Sequence, residues 1–372
     1  MKDFAYWKKL HDSDNLTEFN TNSFGQLWLK TKSIIRKGLI SEFIEKYSIK
    51  LTANSLEGKF EELFLILQSN LSQSDHQLDL YIKEKNLQTL NSLDRESLVS
   101  ELYKLKTFEW GGNYQNSLDK YLVSHYVKTQ TILSYNTLMS KFEQEINPAV
   151  QGYVLNSWYN HWSSILIEHI FKSHQSILPT VGQIKNVDFF INNIPYDLKV
   201  TYFPSQYLRL KRKEKALPVE LTFLKQKAKE LLINFDKQAK DSDIYYEITE
   251  KLRDRNDQVS QSVLDQLKSE NMIIVNEAQQ NPKTLAKWLY ENQGEMRFGS
   301  ENRLFIVLID TDTNNFSNSW KLKRNFDILT PTINTFLDTF SSKKISDLEI
   351  DFKYPGKPDI FTALTDVIFV LK

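Results

Sequence analysis

The stretch VDFFINNIPYDLKVTYFP, residues 187–204, can pair with itself in one register only. Apolar and polar residues alternate on both sides of Asn192-Asn193, a dipeptide suited to the positive φ of a two-residue hairpin loop. With those two at the tip, 191 faces 194, 190 faces 195, 189 faces 196 and 188 faces 197. One face then carries Val187, Phe189, Ile191, Ile194, Tyr196, Leu198 and Val200. The other, expected to be wet, carries Asp188, Phe190, Pro195, Asp197, Lys199 and Thr201. Pro195 falls in a non-hydrogen-bonded pair, so its missing N–H points away from the partner strand. Asp188 and Asp197 stand opposite each other, and like charges so placed cost roughly a few tenths of a kcal/mol unless a cation sits between them.

The rest of the chain divides in texture. Up to about residue 145 apolar residues recur at three-four spacing, which predicts helices separated by polar breaks and a turn at Gly111-Gly112. Asn147-Pro148 reads as a cap and first turn opening a helix that runs to about His174. A boundary is therefore expected there, between a helical domain 1–147, a candidate for DNA recognition or dimerisation, and a second domain 148–372. Beyond it come strand-like runs: SILPTV, VDFFI, IPYDLKVTYF, RLFIVLID, LEIDFKY and DVIFVLK. Helices are expected among them, including VELTFLKQKAKELLINFDKQ, a polar stretch from Asp243 to about Glu270, PKTLAKWLYENQ capped by Asn281, and PTINTFLDTF capped by Thr330. The expected class is α+β, a helical N-terminal region followed by a mixed β-sheet flanked by helices.

Composition removes several kinds of chemistry. The 372 residues hold no cysteine, so thiolate metal sites and thiol nucleophiles are excluded, and a cytoplasmic setting is expected. Lys plus Arg and Asp plus Glu are 47 each, so any polyanion must be drawn by a local patch. Ten glycines and no Walker or dinucleotide fingerprint argue against Gly-rich phosphate loops. His161, His169 and His174 share a helix, but their i, i+8, i+13 spacing does not bring three nitrogens to one zinc.

What remains is the hairpin. Hard cations such as Mg2+, or Mn2+ in its place, bind through one or two carboxylates together with substrate phosphate. Lys199 projects to the same face, where it can hold or deprotonate a water or neutralise charge on the phosphate. The pattern Asp188-x8-Asp197-x-Lys199 resembles the PD-(D/E)xK nuclease superfamily, which includes most type II restriction endonucleases. Val187 stands where the proline that names the motif would be. The resemblance covers about residues 150–310 and implies a core of helix, three antiparallel strands, helix and further strand, placed in a nuclease domain 148–372. It implies that Asp188 and Asp197 are metal ligands, Lys199 the catalytic lysine, the Leu198 carbonyl a further ligand, and Glu168 a third acid. On a helical plot Glu168 falls at the border of an apolar stripe formed by Leu155, Trp158, Trp162, Ile165, Leu166 and His169.

The segment YLRLKRKEK brings Arg209, Lys211, Arg212, Lys213 and Lys215 just past the Lys199 strand, as a solvated loop or as contacts to the DNA backbone. Tyr202, Phe203, Tyr207 and the helix YVLNSWYNHW read as packing residues. The expectation is a Mg2+-dependent type II site-specific endodeoxyribonuclease acting on double-stranded DNA. A homodimer and a companion DNA methyltransferase follow by analogy. The rivals are a repair, phage-defence or RNA-cleaving nuclease on the same core, and a non-enzymatic DNA-binding or interaction protein.

Overall fold

The structure is a computed structural model and describes residues 2–108, 118–129, 131–132, 134–292, 299–312, 314, 316–340 and 342–372. The turn expected at Gly111-Gly112 lies outside these residues. The fold is mixed α+β, with helices leading into a six-stranded mixed sheet. The N-terminal helices are α1 (Phe4–Asp12), α2 (Ser23–Ser33), α3 (Lys37–Lys46), α4 (Leu56–Gln68), α5 (Leu71–Ser92), α6 (Arg95–Leu102), α7 (Leu118–Leu122) and α8 (Tyr135–Lys141). Then follow α9 (Asn147–Ser173), β1 (Ile177–Ile184), β2 (Val187–Ile191) and β3 (Ile194–Tyr202). A helical stretch leads to the last strands: α10 (Ser205–Glu214), α11 (Glu220–Glu230), α12 (Asp241–Arg255), α13 (Gln258–Gln280) and α14 (Pro282–Asn292). The chain closes with β4 (Arg303–Ile309), α15 (Phe326–Phe340), α16 (Ile345–Leu348), β5 (Glu349–Phe352) and β6 (Phe361–Leu371).

The strands lie in the order β1-β2-β3-β4-β6-β5. β1, β2 and β3 are antiparallel neighbours, β3, β4 and β6 run parallel, and β5 returns antiparallel to β6. The hairpin has the register its alternation dictates, Phe189 facing Tyr196, Phe190 facing Pro195 and Ile191 facing Ile194. Asn192 and Asn193 take φ of 51° and 67°, the left-handed values a two-residue loop requires.

Both faces of the sheet are clothed. On one, Leu198, Leu304, Ile306 and Leu308 meet Ile167, Ile170 and Phe171 of α9 and Leu329, Ile333 and Leu337 of α15. By register the other face presents Phe190, Pro195, Asp197, Lys199 and Phe305. Helices α1–α5 cover its β1–β2 end, burying Leu178, Ile184 and Phe190 with Trp7, Trp28 and Phe64. Helices α13 and α14 cover its β4–β6 end, burying Phe305, Val307 and Val367 under Ile274, Leu289 and Tyr290. The face expected to be wet is thus roofed at both ends, while the Lys199 side chain of β3 between them stays partly exposed, leaving a furrow there. The N-terminal roof sits close: a Cβ on Gly182 of β1 would lie 2.3 Å from the Ser33 carbonyl at the end of α2.

Four local expectations are corrected. Asn147 is no cap, because the backbone is helical on both sides of it, a π-helical turn at Phe142–Ile146 joining α8 to α9. Thr330 is no cap either, since α15 begins four residues earlier and takes Pro331 into its interior. The buried stripe of α9 is Asn156, Tyr159, Ser163, Leu166, Ile167 and Ile170, rotated from the apolar one, and Leu155 and Trp158 are exposed. Val187 leaves the Phe189 face and joins the core under the N-terminal helices, paired with Ile184 of β1.

Candidate active site

β2 and β3 part company at the acidic pair. Their ladder ends at Phe189–Tyr196. One step further a continuing ladder would give the Leu198 N–H to the Val187 carbonyl. Instead Leu198 N donates to Asp188 Oδ2 at 2.8 Å, so the carboxylate fills the place of the departing strand. In a strand the N–H and C=O of one residue point the same way. The Leu198 carbonyl is therefore directed to the same side as its N–H, toward Asp188. Asp197 points its N–H the other way, to the Asn302 carbonyl at 2.9 Å.

The charges around the pair are unequal. Burial pushes the Asp188 carboxyl up to about 6, helped by the negative charges of Asp197 and Glu168 and opposed by the Leu198 N–H and Lys199. Glu168 reaches the pair by its field, while its own carboxylate accepts from Lys172 Nζ at 2.9 Å. Lys199 Nζ donates to both oxygens of Asp197, at 2.9 and 2.8 Å. Its side chain is 43 % exposed, so this ion pair holds it by less than about 1 kcal/mol and lets it swing away.

Beneath Asp197 lies a second layer that sequence patterns did not single out. Arg303, at the start of β4 and 2 % exposed, sits with Nε 3.7 Å from Asp197 Oδ2 and pairs with the fully buried Glu301. Its guanidinium lies 4.8 Å from the ring centre of Tyr290, whose hydroxyl donates to the Glu301 carbonyl at 3.0 Å. Asn302 between them donates to Pro195 O at 2.9 Å and to Asn20 Oδ1 at 2.5 Å, and accepts from Leu364 N at 2.9 Å. Three polar residues ahead of the apolar run LFIVLI were the visible signal. Asp197, Pro195 and Asn20 lie more than a hundred residues away in sequence, which no local pattern reveals.

The basic segment is placed differently from expectation. It is helix α10, and Arg212 is buried rather than offered to solvent, because Tyr207, Leu208 and Arg212 face inward. Its guanidinium donates to Asn271 Oδ1, Glu270 Oε2 and Pro218 O at 2.7–2.8 Å. Lys211 pairs with Glu214 and Lys215 with Glu277, while Arg209 and Lys213 remain exposed without an ion pair among the described residues. The histidines of α9 diverge: His169 meets Ser173, His174 meets Ser176 and Asp338, and His161 is exposed.

No protein-family model, curated protein or solved structure matches this chain. The chemistry has to be read from the site itself. Among the described residues no group of three or more His, Asp or Glu is gathered as a metal cluster, and none of the helices is long and apolar enough to cross a membrane. The donors present at the hairpin are two carboxylates and a backbone carbonyl, all hard oxygens. That set fits Mg2+, which completes its shell with water and substrate phosphate. It does not fit softer ions that seek nitrogen or sulfur.

Proposed function

We propose that the protein is a metal-dependent DNA endonuclease of the PD-(D/E)xK type, working as a type II restriction enzyme on double-stranded DNA. The observation that carries this reading is half-buried Asp188 beside Asp197 where the two hairpin strands part, its carboxyl held up to about 6, with the exposed Lys199 ammonium on Asp197. A long helix, three antiparallel strands, a helical crossover and a parallel fourth strand surround it, the element order such nucleases share.

In this reading Asp188, Asp197 and the Leu198 carbonyl hold Mg2+, with Mn2+ as a substitute, and Glu168 adds negative field. When bound, the ion supplies Lewis-acid chemistry at the phosphate. Arg303, 3.7 Å from Asp197, keeps that carboxylate aimed. Lys199, released from Asp197, turns to the substrate and either orients the attacking water or offsets charge on the phosphoryl oxygens. Lys199→Ala is expected to lower turnover by about two to four orders of magnitude, the range of a lost acid–base group, with Mn2+ affinity unchanged. Plasmid cleavage at the wild-type rate by that variant would remove the lysine from the mechanism. Cleavage persisting in EDTA would remove the metal.

A homodimer belongs to the same proposal, since two active sites must face two strands. Val154, Leu155 and Trp158 leave an apolar face on α9 exposed, the kind of patch that a partner surface covers. Leu155→Lys together with Trp158→Lys is expected to convert a dimer to a monomer in sedimentation velocity. A sedimentation coefficient that does not change places the dimer contact elsewhere. A DNA methyltransferase protecting the same site would be the companion activity.

A further inference from the structure

One residue past Lys199 on β3 the furrow opens into a cleft of about 980 Å³. Its walls come from the end of β3 and the turn after it, the segment Lys106 to Phe108 past α6, the end of α14, and a 3-10 helix at Ser317–Arg324. In a chain with 47 acidic residues, no Asp or Glu among the described residues lines it. The lining is lysine, amide, hydroxyl and aromatic: Lys106 and Lys321 with Gln206, Asn318, Phe108 and Trp320 among them. Phe108 and Trp320 stack at 5.4 Å and 17°.

Two buried polar groups meet at the cleft wall, Tyr202 lining it and Lys323 lying behind Tyr202. Among the described residues the Tyr202 hydroxyl is buried with no hydrogen-bond partner, although Tyr202 lines the cleft. Lys323, 7 % exposed, lies 5.4 Å from the Tyr202 ring centre and donates to Asn160 Oδ1 at 2.7 Å. Among the described residues it has no carboxylate partner, and burial alone brings its ammonium down to about 8. A buried ammonium without a counter-charge and a phenol without an acceptor both call for an anionic, oxygen-rich ligand. Phe316, on the cleft wall, is held at φ 57°, a left-handed conformation that costs a bulky residue energy and that clusters at ligand sites.

We propose that this cleft binds an unpaired nucleotide of the substrate strand, its phosphates toward the Lys106 and Lys321 ammonium groups and its base against the aromatic wall. The identity of the ligand rests on the nuclease reading. The volume lies at the upper end of sites for single small ligands, which suits a nucleotide drawn out of a duplex and not the duplex itself. Lysine contacts to phosphate supply affinity, and stacking on aromatic rings supplies a sequence-tolerant grip.

The test uses the full-length protein in EDTA and 5′-fluorescein-labelled single-stranded hexathymidylate, followed by anisotropy. The wild type should bind. Lys106→Glu with Lys321→Glu should weaken binding by about tenfold and flatten the dependence of log affinity on log salt by about 1.4, the share of two phosphates on a single strand. Tyr202→Phe should weaken binding about threefold without lowering the melting temperature, because it removes a buried hydroxyl that lacks a partner. A wild type that does not bind, or a double variant that binds equally well with the same salt slope, overturns the cleft assignment. Plasmid cleavage in Mg2+, run in parallel, separates the two ideas. Lysine-dependent binding without any cleavage sinks the nuclease and supports the cleft, whereas cleavage with lysine-independent binding sinks the cleft alone.

Discussion

Asp188→Asn is expected to abolish cleavage and, in the absence of metal, to make the protein more stable at pH 7.5. The folded carboxyl titrates at about 6, above its unfolded value of about 3.9, so the folded state holds the proton more tightly. The stabilisation this group contributes is therefore fully present below about pH 4 and is lost as pH rises through about 6. At pH 7.5 the ionised group opposes folding by on the order of 2 kcal/mol, because it sits partly desolvated in the field of Asp197 and Glu168. Asparagine keeps an oxygen for the Leu198 N–H and removes the charge. Thermal melts in EDTA should show the variant above the wild type at pH 7.5 and the gap closing toward pH 4. Added Mn2+ should raise the wild type and leave the variant where it is. A variant that melts below the wild type at pH 7.5 would mean that the two carboxylates do not repel each other.

The second large effect belongs to the layer beneath the site. Arg303→Met leaves the Glu301 carboxylate, fully buried and paired with Arg303, without its counter-charge. Breaking a buried pair from one side costs about 3–5 kcal/mol, most of it the penalty of the stranded charge. Urea denaturation should show that loss, and Arg303→Met with Glu301→Gln should recover most of it, since the double change removes both members of the pair and Asp197 keeps Lys199. A single variant within about 1 kcal/mol of the wild type would contradict the assignment. Activity gives a separate readout. Asp197 lies 3.7 Å from Arg303 Nε, so the doubly substituted protein should fold yet bind Mn2+ differently.

These two predictions draw on unequal shares of what the sequence displays. The hairpin register was legible near its tip, because a period of two with an Asn-Asn tip favours one pairing, and the pairs Phe189–Tyr196 and Phe190–Pro195 are those; the expected pairing of 188 with 197 lies past the end of the ladder. The later strands were legible as short apolar runs between helical stretches. Tertiary arrangement was not. Nothing in VDFFI announces that α1–α5 would fold over Phe190, or that Val187 would turn away so that Asp188 could reach the Leu198 amide. The α9 stripe was misread because Asn156 and Ser163 are buried there while Leu155 and Trp158 stay outside, reversing the usual order of polarity. The basic run around Arg212 read as loop because charge density hid an inward face whose partners, Glu270 and Asn271, come from α13. Glu301 and Arg303 were hidden because their burial depends on elements that fold over them, and their letters look like any strand flank.

The central claim is that Asp188 and Asp197 are held together to grip one divalent cation. Calorimetric titration of Mn2+ into the wild type and into Asp188→Asn at pH 7.5 tests it most directly. Saturable binding by the wild type that the variant loses is the predicted result. Equal heats from both proteins, or none from the wild type, would contradict it.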